Sequence, residues 1–232
     1  MKKILSFFLA ALLFCFCTTG AYAAAPPRKD GVIFSGTTAC GKKIALTFDD
    51  GPHPVKTPKI LSILEKHGVR ATFFIVGSLA EYHPEIVKKE AELGHELANH
   101  SYTHPRFSKL TEEEMKAEIA KTDEIIKKAA GVTPRLFRPP EGAYSPGIVS
   151  VAASLGKETV IWTVDTMDWA RCPTEKIVEN VKANVTFGSI ILFHDCTRDG
   201  TFTLEALELL LPYLKSQGYE FVTVSELISA EQ

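Results

Sequence analysis

The stretch Lys43–Gly68, KIALTFDDGPHPVKTPKILSILEKHG, holds one strand and one helix and sets the pattern for the chain. Its opening residues, KIALTFDD, form an apolar, strand-like run. PKILSILEKHG has apolar residues at helical spacing, Lys66 and His67 in its last turn, and Gly68 as a stop. Between them stand two adjacent acids, Asp49 and Asp50, then Gly51 and Pro52. A continued strand would send the two carboxylates to opposite faces. Two readings stay open here. Asp-Gly-Pro is ordinary turn punctuation; alternatively, one acid holds a metal and the other moves a proton.

The same alternation continues outward. RATFFIVG (70–77) is a buried strand, PEIVKKEAELG (84–94) an amphipathic helix ended by Gly94, and HELANHS (95–101) a short strand with a polar tail. LTEEEMKAEIAKTDEIIKKAAG (110–131) is a long helix opened by a Thr111–Glu114 capping box. RLFRPPEG (135–142), ETVIWTVDT (158–166) and SIILFHD (189–195) are further strands. Helical patterns follow at SPGIVSVAASLG (145–156), PTEKIVENVKANV (173–185) and TLEALELLLPYLKSQG (203–218), and YEFVTVSEL (219–227) gives a last strand and turn. Strand-helix alternation means an α/β fold with a parallel sheet covered by helices. About seven such units predict a single-domain, distorted (β/α) barrel.

The N-terminus has a different character. Met1-Lys2-Lys3, an apolar run Ile4–Cys17 and the small-x-small AYAA (Ala21–Ala24) form the pattern of a secretory signal peptide over residues 1–23. A retained anchor is the alternative. Lipoprotein acylation at Cys15 or Cys17 is disfavoured by Phe14 and Phe16 directly before them. Residues 24–42 are expected as a lead-in, flexible over Ala24–Gly31, with a short hairpin within GVIFSGTTACGKKIA (31–45). Residues 43–229 are the expected main domain.

Cleavage leaves about 210 residues, enough for one sizeable core. It also moves the formal charge from −2 to about −4, since two lysines leave with the peptide. That balance gives no reason to expect nucleic acid or an anionic membrane as partner, and no stable protein partner is implied. Three cysteines remain, Cys40, Cys172 and Cys196, and export would permit one disulfide, expected between Cys172 and Cys196.

Five predicted strands end in unusual polar residues, and parallel α/β folds place active sites at those ends. They are Asp49-Asp50, NHSYTHP (99–105), RPPEG (138–142), DTMDW (165–169) and LFHD (192–195). His100-x3-His104 can meet one ion across a single turn, which Pro105 makes tight rather than helical. With Asp50 the pair makes a two-His, one-carboxylate set that leaves positions open for water and substrate. Asp49 is then free as general base, with Arg138 suited to hold it ionised. His194 paired with a buried Asp168 would stay protonated and act as acid. Trp169 and Leu192 could wall a small apolar pocket. His53, His67, His83 and His95 fall outside these clusters, and Asp165 and Asp195 are expected to fix loops.

Taken together, TFDDGP, HSYTH, RPPEG, DTMDW and LFH resemble the five ordered motifs of the polysaccharide deacetylase family, the NodB-homology domain of carbohydrate esterase family 4. The resemblance covers about Lys43 to Leu227. It implies a distorted (β/α) barrel and metal-assisted hydrolysis of an N-acetyl or O-acetyl group. On this resemblance Asp50, His100 and His104 bind zinc or cobalt, Asp49 is the base oriented by Arg138, and His194 is the acid paired with Asp168. Trp169 and Leu192 receive the acetyl methyl, and a backbone N–H near Glu141 meets the carbonyl oxygen. Many members carry Tyr where this chain has Glu141, which puts an acidic side chain on the groove. The implied substrate is an acetylated glycan, peptidoglycan first and chitin-type oligomers second. An acetylxylan esterase and a non-catalytic glycan-binding module on the same fold are the rival readings. The expected location is secreted or associated with the cell envelope.

Overall fold

Strands and helices alternate through the computed structural model, which describes residues 28–196 and 201–229. In chain order the strands are β1 (Arg28–Lys29), β2 (Val32–Ile33), β3 (Lys43–Asp49), β4 (Thr72–Ile75), β5 (Glu96–Asn99), β6 (Leu136–Phe137), β7 (Glu158–Val160), β8 (Val164–Asp165), β9 (Ile190–His194) and β10 (Glu220–Phe221). The helices are α1 (Lys56–Lys66), α2 (Gly77–Tyr82), α3 (Pro84–Glu92), α4 (Glu112–Ala130), α5 (Pro146–Ser154), α6 (Thr174–Asn184), α7 (Thr201–Ser216) and α8 (Val224–Ser229). None of them is long and apolar enough to cross a membrane.

All strands belong to one curled sheet, ordered β1-β2-β7-β6-β5-β4-β3-β9-β8, with β10 also on β3. Every pairing is parallel except the β1–β2 hairpin. The segment 158–165 bends between β7 and β8, pairing with β6 at one end and β9 at the other. That bend curls the sheet toward closure, and it is the distortion of the barrel. Seven units are recovered when 158–165 counts as one: β3-α1, β4-α2/α3, β5-α4, β6-α5, β7/β8-α6, β9-α7 and β10-α8.

Alternation along each strand sorts side chains into two layers. On β3, Ile44, Leu46 and Phe48 face the helices, and Phe48 stacks with Phe73 (5.1 Å between centroids) and Phe193 (5.7 Å). Ala45, on the opposite face, joins Phe74, Ala98, Leu136, Val160 and Ile190 inside the barrel. Val224, Leu227 and Ile228 of α8 plug the lower end of this inner cluster. The inner series then continues upward in steps of two: Ala45, Thr47, Asp49 on β3; Ala98, His100 from β5; Ile190, Leu192, His194 on β9. Strand parity alone carries polar groups to the upper rim of an apolar barrel.

Four expectations change. The hairpin is β1–β2, turned at Asp30-Gly31 (φ 52° and 79°), so it lies earlier than predicted and takes in residues assigned to a flexible lead-in. Its two-residue left-handed turn matches the right-handed twist of paired strands. The last turn is a helix, α8, because its apolar residues cover the barrel floor. The six-residue α2 was unforeseen. Finally, Cys172 and Cys196 are free thiols and no disulfide joins them. Cys172 packs against the outer core, while Cys196 follows Asp195 at the end of β9. The expected signal peptide lies outside the described residues.

Candidate active site

The ends of β3, β5, β6, β8 and β9 surround a cavity of about 540 Å³. Asp49, Asp50, His100, His104, Glu141, Trp169, Leu192 and His194 all line it, together with Arg106, Gly142, Trp162 and Asp165. Arg138 and Asp168 sit directly behind Asp49 and His194. Each of the ten residues singled out in the sequence is therefore at or just behind one cavity.

The adjacent acids share it because the strand ends between them. Asp49 is the last inward residue of β3, whereas Asp50 is left-handed (φ 74°) and abandons the alternation. Gly51 follows, and a Cβ there would lie 2.1 Å from Asp195 Oδ2, so no larger residue fits. The turn reading holds, and the same turn aims the second acid into the cavity beside the first.

Asp50 Oδ1 is buried and has no hydrogen-bond partner. It lies 3.4 Å from Nε2 of His100 and 3.2 Å from Nε2 of His104. One ligand atom from each of the three residues falls within 4.8 Å of the others. His100 Nδ1 donates to the Arg138 carbonyl at 2.7 Å, since a carbonyl can only accept. In the neutral ring this leaves the Nε2 lone pair facing Asp50, the arrangement typical of metal-binding histidines. An unpartnered carboxylate oxygen with two imidazole nitrogens is a donor set that suits a divalent cation. Burial would raise the Asp50 pKa, but the adjacent imidazole of His100, with the charges of His194 and His104, brings it down to about 2.

Arg138 is fully buried, and each of its three side-chain nitrogens is hydrogen-bonded. Its guanidinium donates to Asp49 Oδ1 (2.6 Å), Thr47 Oγ1 (2.9 Å), Val160 O (3.2 Å) and Ile161 O (3.0 Å). It lies 3.9 Å from the centroid of Phe74. The last two acceptors are carbonyls of the 158–165 bend, so the bend is what Arg138 satisfies. With Oδ1 held, Asp49 Oδ2 points toward His100 Nε2 at 3.7 Å.

Opposite, His194 Nδ1 donates to Asp168 Oδ1 at 2.8 Å. Asp168 is fixed in turn by the His194 backbone N–H and the Thr203 hydroxyl, both 2.9 Å from Oδ2. Burial pulls the His194 pKa down, but the Asp168 hydrogen bond and charge, with Asp49 and Asp50, raise it to about 9. A folded value above the unfolded one adds stability that is complete below the ordinary histidine range and is lost as pH rises through about 9. A bound dication would offset the Asp49 and Asp50 contributions, leaving Asp168 as the lasting cause. Asp168→Asn is therefore expected to move the basic limb of the pH–rate profile about 1–3 pH units lower. A steady-state profile from pH 6 to 10 checks this, and an unmoved limb would separate Asp168 from the proton on His194.

Beside the expected Glu141, the cavity mouth contains Arg106, Gly142 and Trp162, which the sequence did not flag. Glu141 is left-handed (φ 59°), and its Oε1 meets Arg106 Nε at 3.2 Å. A Cβ on Gly142 would come 2.4 Å from the ring of Trp162, so only glycine lets that indole close the wall. Trp162 continues the inward parity of Val160 along ETVIWTVDT, a signal that was available. Arg106, just past the second histidine on an irregular turn, has no periodicity to betray it. Leu192 is buried on the wall, and Trp169 is half exposed with its indole N–H 3.3 Å from Asp165 Oδ1. Asp165 also accepts from Met167 N–H at 2.8 Å, the loop role expected of it.

A profile described as "Polysaccharide deacetylase" matches residues 36–160, more than half of the chain. The chain belongs to the polysaccharide deacetylase family. It is 41% identical over 192 residues to a peptidoglycan-N-acetylglucosamine deacetylase of Bacillus cereus, spanning 82% of this chain and 70% of that protein. A chitooligosaccharide deacetylase of Bradyrhizobium is 36% identical over 205 residues, 83% and 93% of the two chains. The crystal structure of the Bc1960 peptidoglycan N-acetylglucosamine deacetylase superposes with TM-score 0.83 at 39% identity, covering 86% of this chain and 93% of that one. The curled sheet with its cavity is thus the polysaccharide deacetylase fold.

Proposed function

We propose that this polysaccharide deacetylase is an exported, metal-dependent hydrolase that removes acetyl groups from N-acetylglucosamine residues of peptidoglycan or chitin-type oligomers. The single observation carrying this reading is that one cavity holds three kinds of group: a cation-suited set, a carboxylate fixed by a buried arginine, and an imidazole fixed by a buried aspartate. Recognition of a glycan alone requires neither the second nor the third. Names of relatives support the N-acetylated glycan, and the charged, apolar and small-residue pattern of residues 1–23 supports export.

Asp50, His100 and His104 are the residues that would hold the cation, which when bound supplies Lewis-acid polarisation and a more acidic water. Asp49, held at Oδ1 by Arg138, takes a proton from the attacking water on Oδ2. The Glu141 N–H, brought to the cavity mouth by its left-handed backbone, donates to the acetyl carbonyl oxygen as charge develops there. His194, protonated at neutral pH, gives its Nε2 proton to the departing amine nitrogen, while Asp168 stabilises the imidazolium. Leu192 and Trp169 exclude water around the acetyl methyl.

The test is acetate release from peptidoglycan, chitooligosaccharide and acetylxylan, with chelator and with zinc or cobalt added back. Release from the first two is expected, falling to background with chelator and returning with metal. No acetate from any of the three with metal supplied would overturn the reading in favour of a glycan-binding module.

A further inference from the structure

The turn that separates the two histidines is held mainly from outside itself. Ser101 and His104 are both left-handed (φ 68° and 55°), a conformation that non-glycine residues keep only when their surroundings dictate it. Every amide from His100 to His104 has a partner. His100 N–H donates to Ile75 O, Ser101 N–H to Asn99 Oδ1, and His104 N–H to Ser101 Oγ. The remaining two, Tyr102 and Thr103, both donate to Glu118 Oε2 at 2.8 Å. Glu118 Oε1 also accepts from the Thr103 hydroxyl at 2.9 Å. From the other side, Gly77 and Ser78 N–H bind the carbonyls of Ser101 and Tyr102, each at 2.9 Å. A Cβ on Gly77 would lie 3.0 Å from the Tyr102 ring and 2.5 Å from Thr122 Oγ1, so the turn is wedged between α2 and α4.

From this we infer that Glu118, on α4 and outside the cavity lining, is a positioning residue for the cation site: its carboxylate clamps the His100–His104 turn and sets the spacing of the two imidazoles. It supplies the only charged acceptor to the turn's backbone, and charge-assisted bonds of this kind are about twice as strong as neutral ones. Asn99 adds a second link to the same helix, donating to Asp123 Oδ1 and to Ile119 O, each at 2.8 Å, while receiving Ser101 N–H. The inference rests on the metal reading of Asp50, His100 and His104.

The experiment titrates cobalt and zinc into the full chain against a chromophoric chelator, and records the cobalt d–d spectrum. Glu118→Ala is expected to weaken binding about 10–100-fold, as outer-shell losses do, and to alter the band shape. Alanine strengthens rather than weakens α4 as a helix, and near-ultraviolet circular dichroism with Tm checks that the variant is folded. Glu118→Gln, which keeps an acceptor oxygen, is expected to recover most of the affinity. Thr103→Val, which removes only the hydroxyl bond from an exposed side chain, is expected to lose less than Glu118→Ala, and Glu124→Ala on the exposed face of α4 to lose nothing. A folded Glu118→Ala that binds cobalt with the parent's affinity and spectrum overturns the inference alone. A parent that binds neither ion overturns the metal reading and the inference with it.

Discussion

Asp49→Asn is expected to lower metal-saturated acetate release by about 10²–10⁴-fold, the usual range for loss of a general base. Asparagine keeps the size of the side chain and an acceptor oxygen for Arg138, so the Arg138 bonds to Thr47, Val160 and Ile161 persist. Cobalt affinity and binding of the glycan are expected to stay near the parent's, because Asp50, His100 and His104 carry the cation in this scheme. Acetate assays at saturating metal, paired with a metal titration, separate these effects. A variant within about tenfold of the parent rate would remove Asp49 from the base role.

The second large effect concerns folding. Arg138→Met removes the guanidinium and takes its hydrogen bonds from the buried Asp49 carboxylate and from two carbonyls of the 158–165 bend. Breaking a buried ion pair from one side costs about 3–5 kcal/mol, which for a chain of this length lowers Tm by roughly 6–20 °C. Burial pulls the Arg138 pKa down while Asp49 pushes it back up, a sign that each charge is tolerated because of the other. The double variant Arg138→Met/Asp49→Asn is therefore expected to be more stable than Arg138→Met alone. Thermal unfolding of the parent, both single variants and the double variant measures this coupling. Strict additivity would mean that the pair shares no energy.

Much of this architecture is legible in the chain because period-two patterning is a local property. KIALTFDD already assigns Ala45, Thr47 and Asp49 to one face, and SIILFHD assigns Ile190, Leu192 and His194 to one face. Parallel pairing, with Phe48 beside Phe193 and Asp49 beside His194 in register, then brings two such faces together. The gathering of Asp50, His100 and His104 was legible for a different reason: four-residue spacing, a following proline and an acid at a strand end are chemical signals. What stayed hidden depends on backbone states or on partners distant in sequence. The left-handed turn at Asp50 defeats simple alternation. Glu118 reads as one more charge on an amphipathic helix, and only the tertiary approach of 101–104 gives it work. Cys172 and Cys196 looked like a pair because both follow motifs, but position in sequence carries no information about Sγ separation.

The stopper formed by Val224, Leu227 and Ile228 has a consequence for traffic. With that end filled by apolar side chains, the described cavity opens at its mouth through a ring of charged and aromatic side chains, which on the proposed chemistry is also where the sugar rests. On that chemistry, the two-carbon fragment released at depth leaves through the mouth by which the glycan entered. Departure of the small product and arrival of the next residue then compete for the same opening.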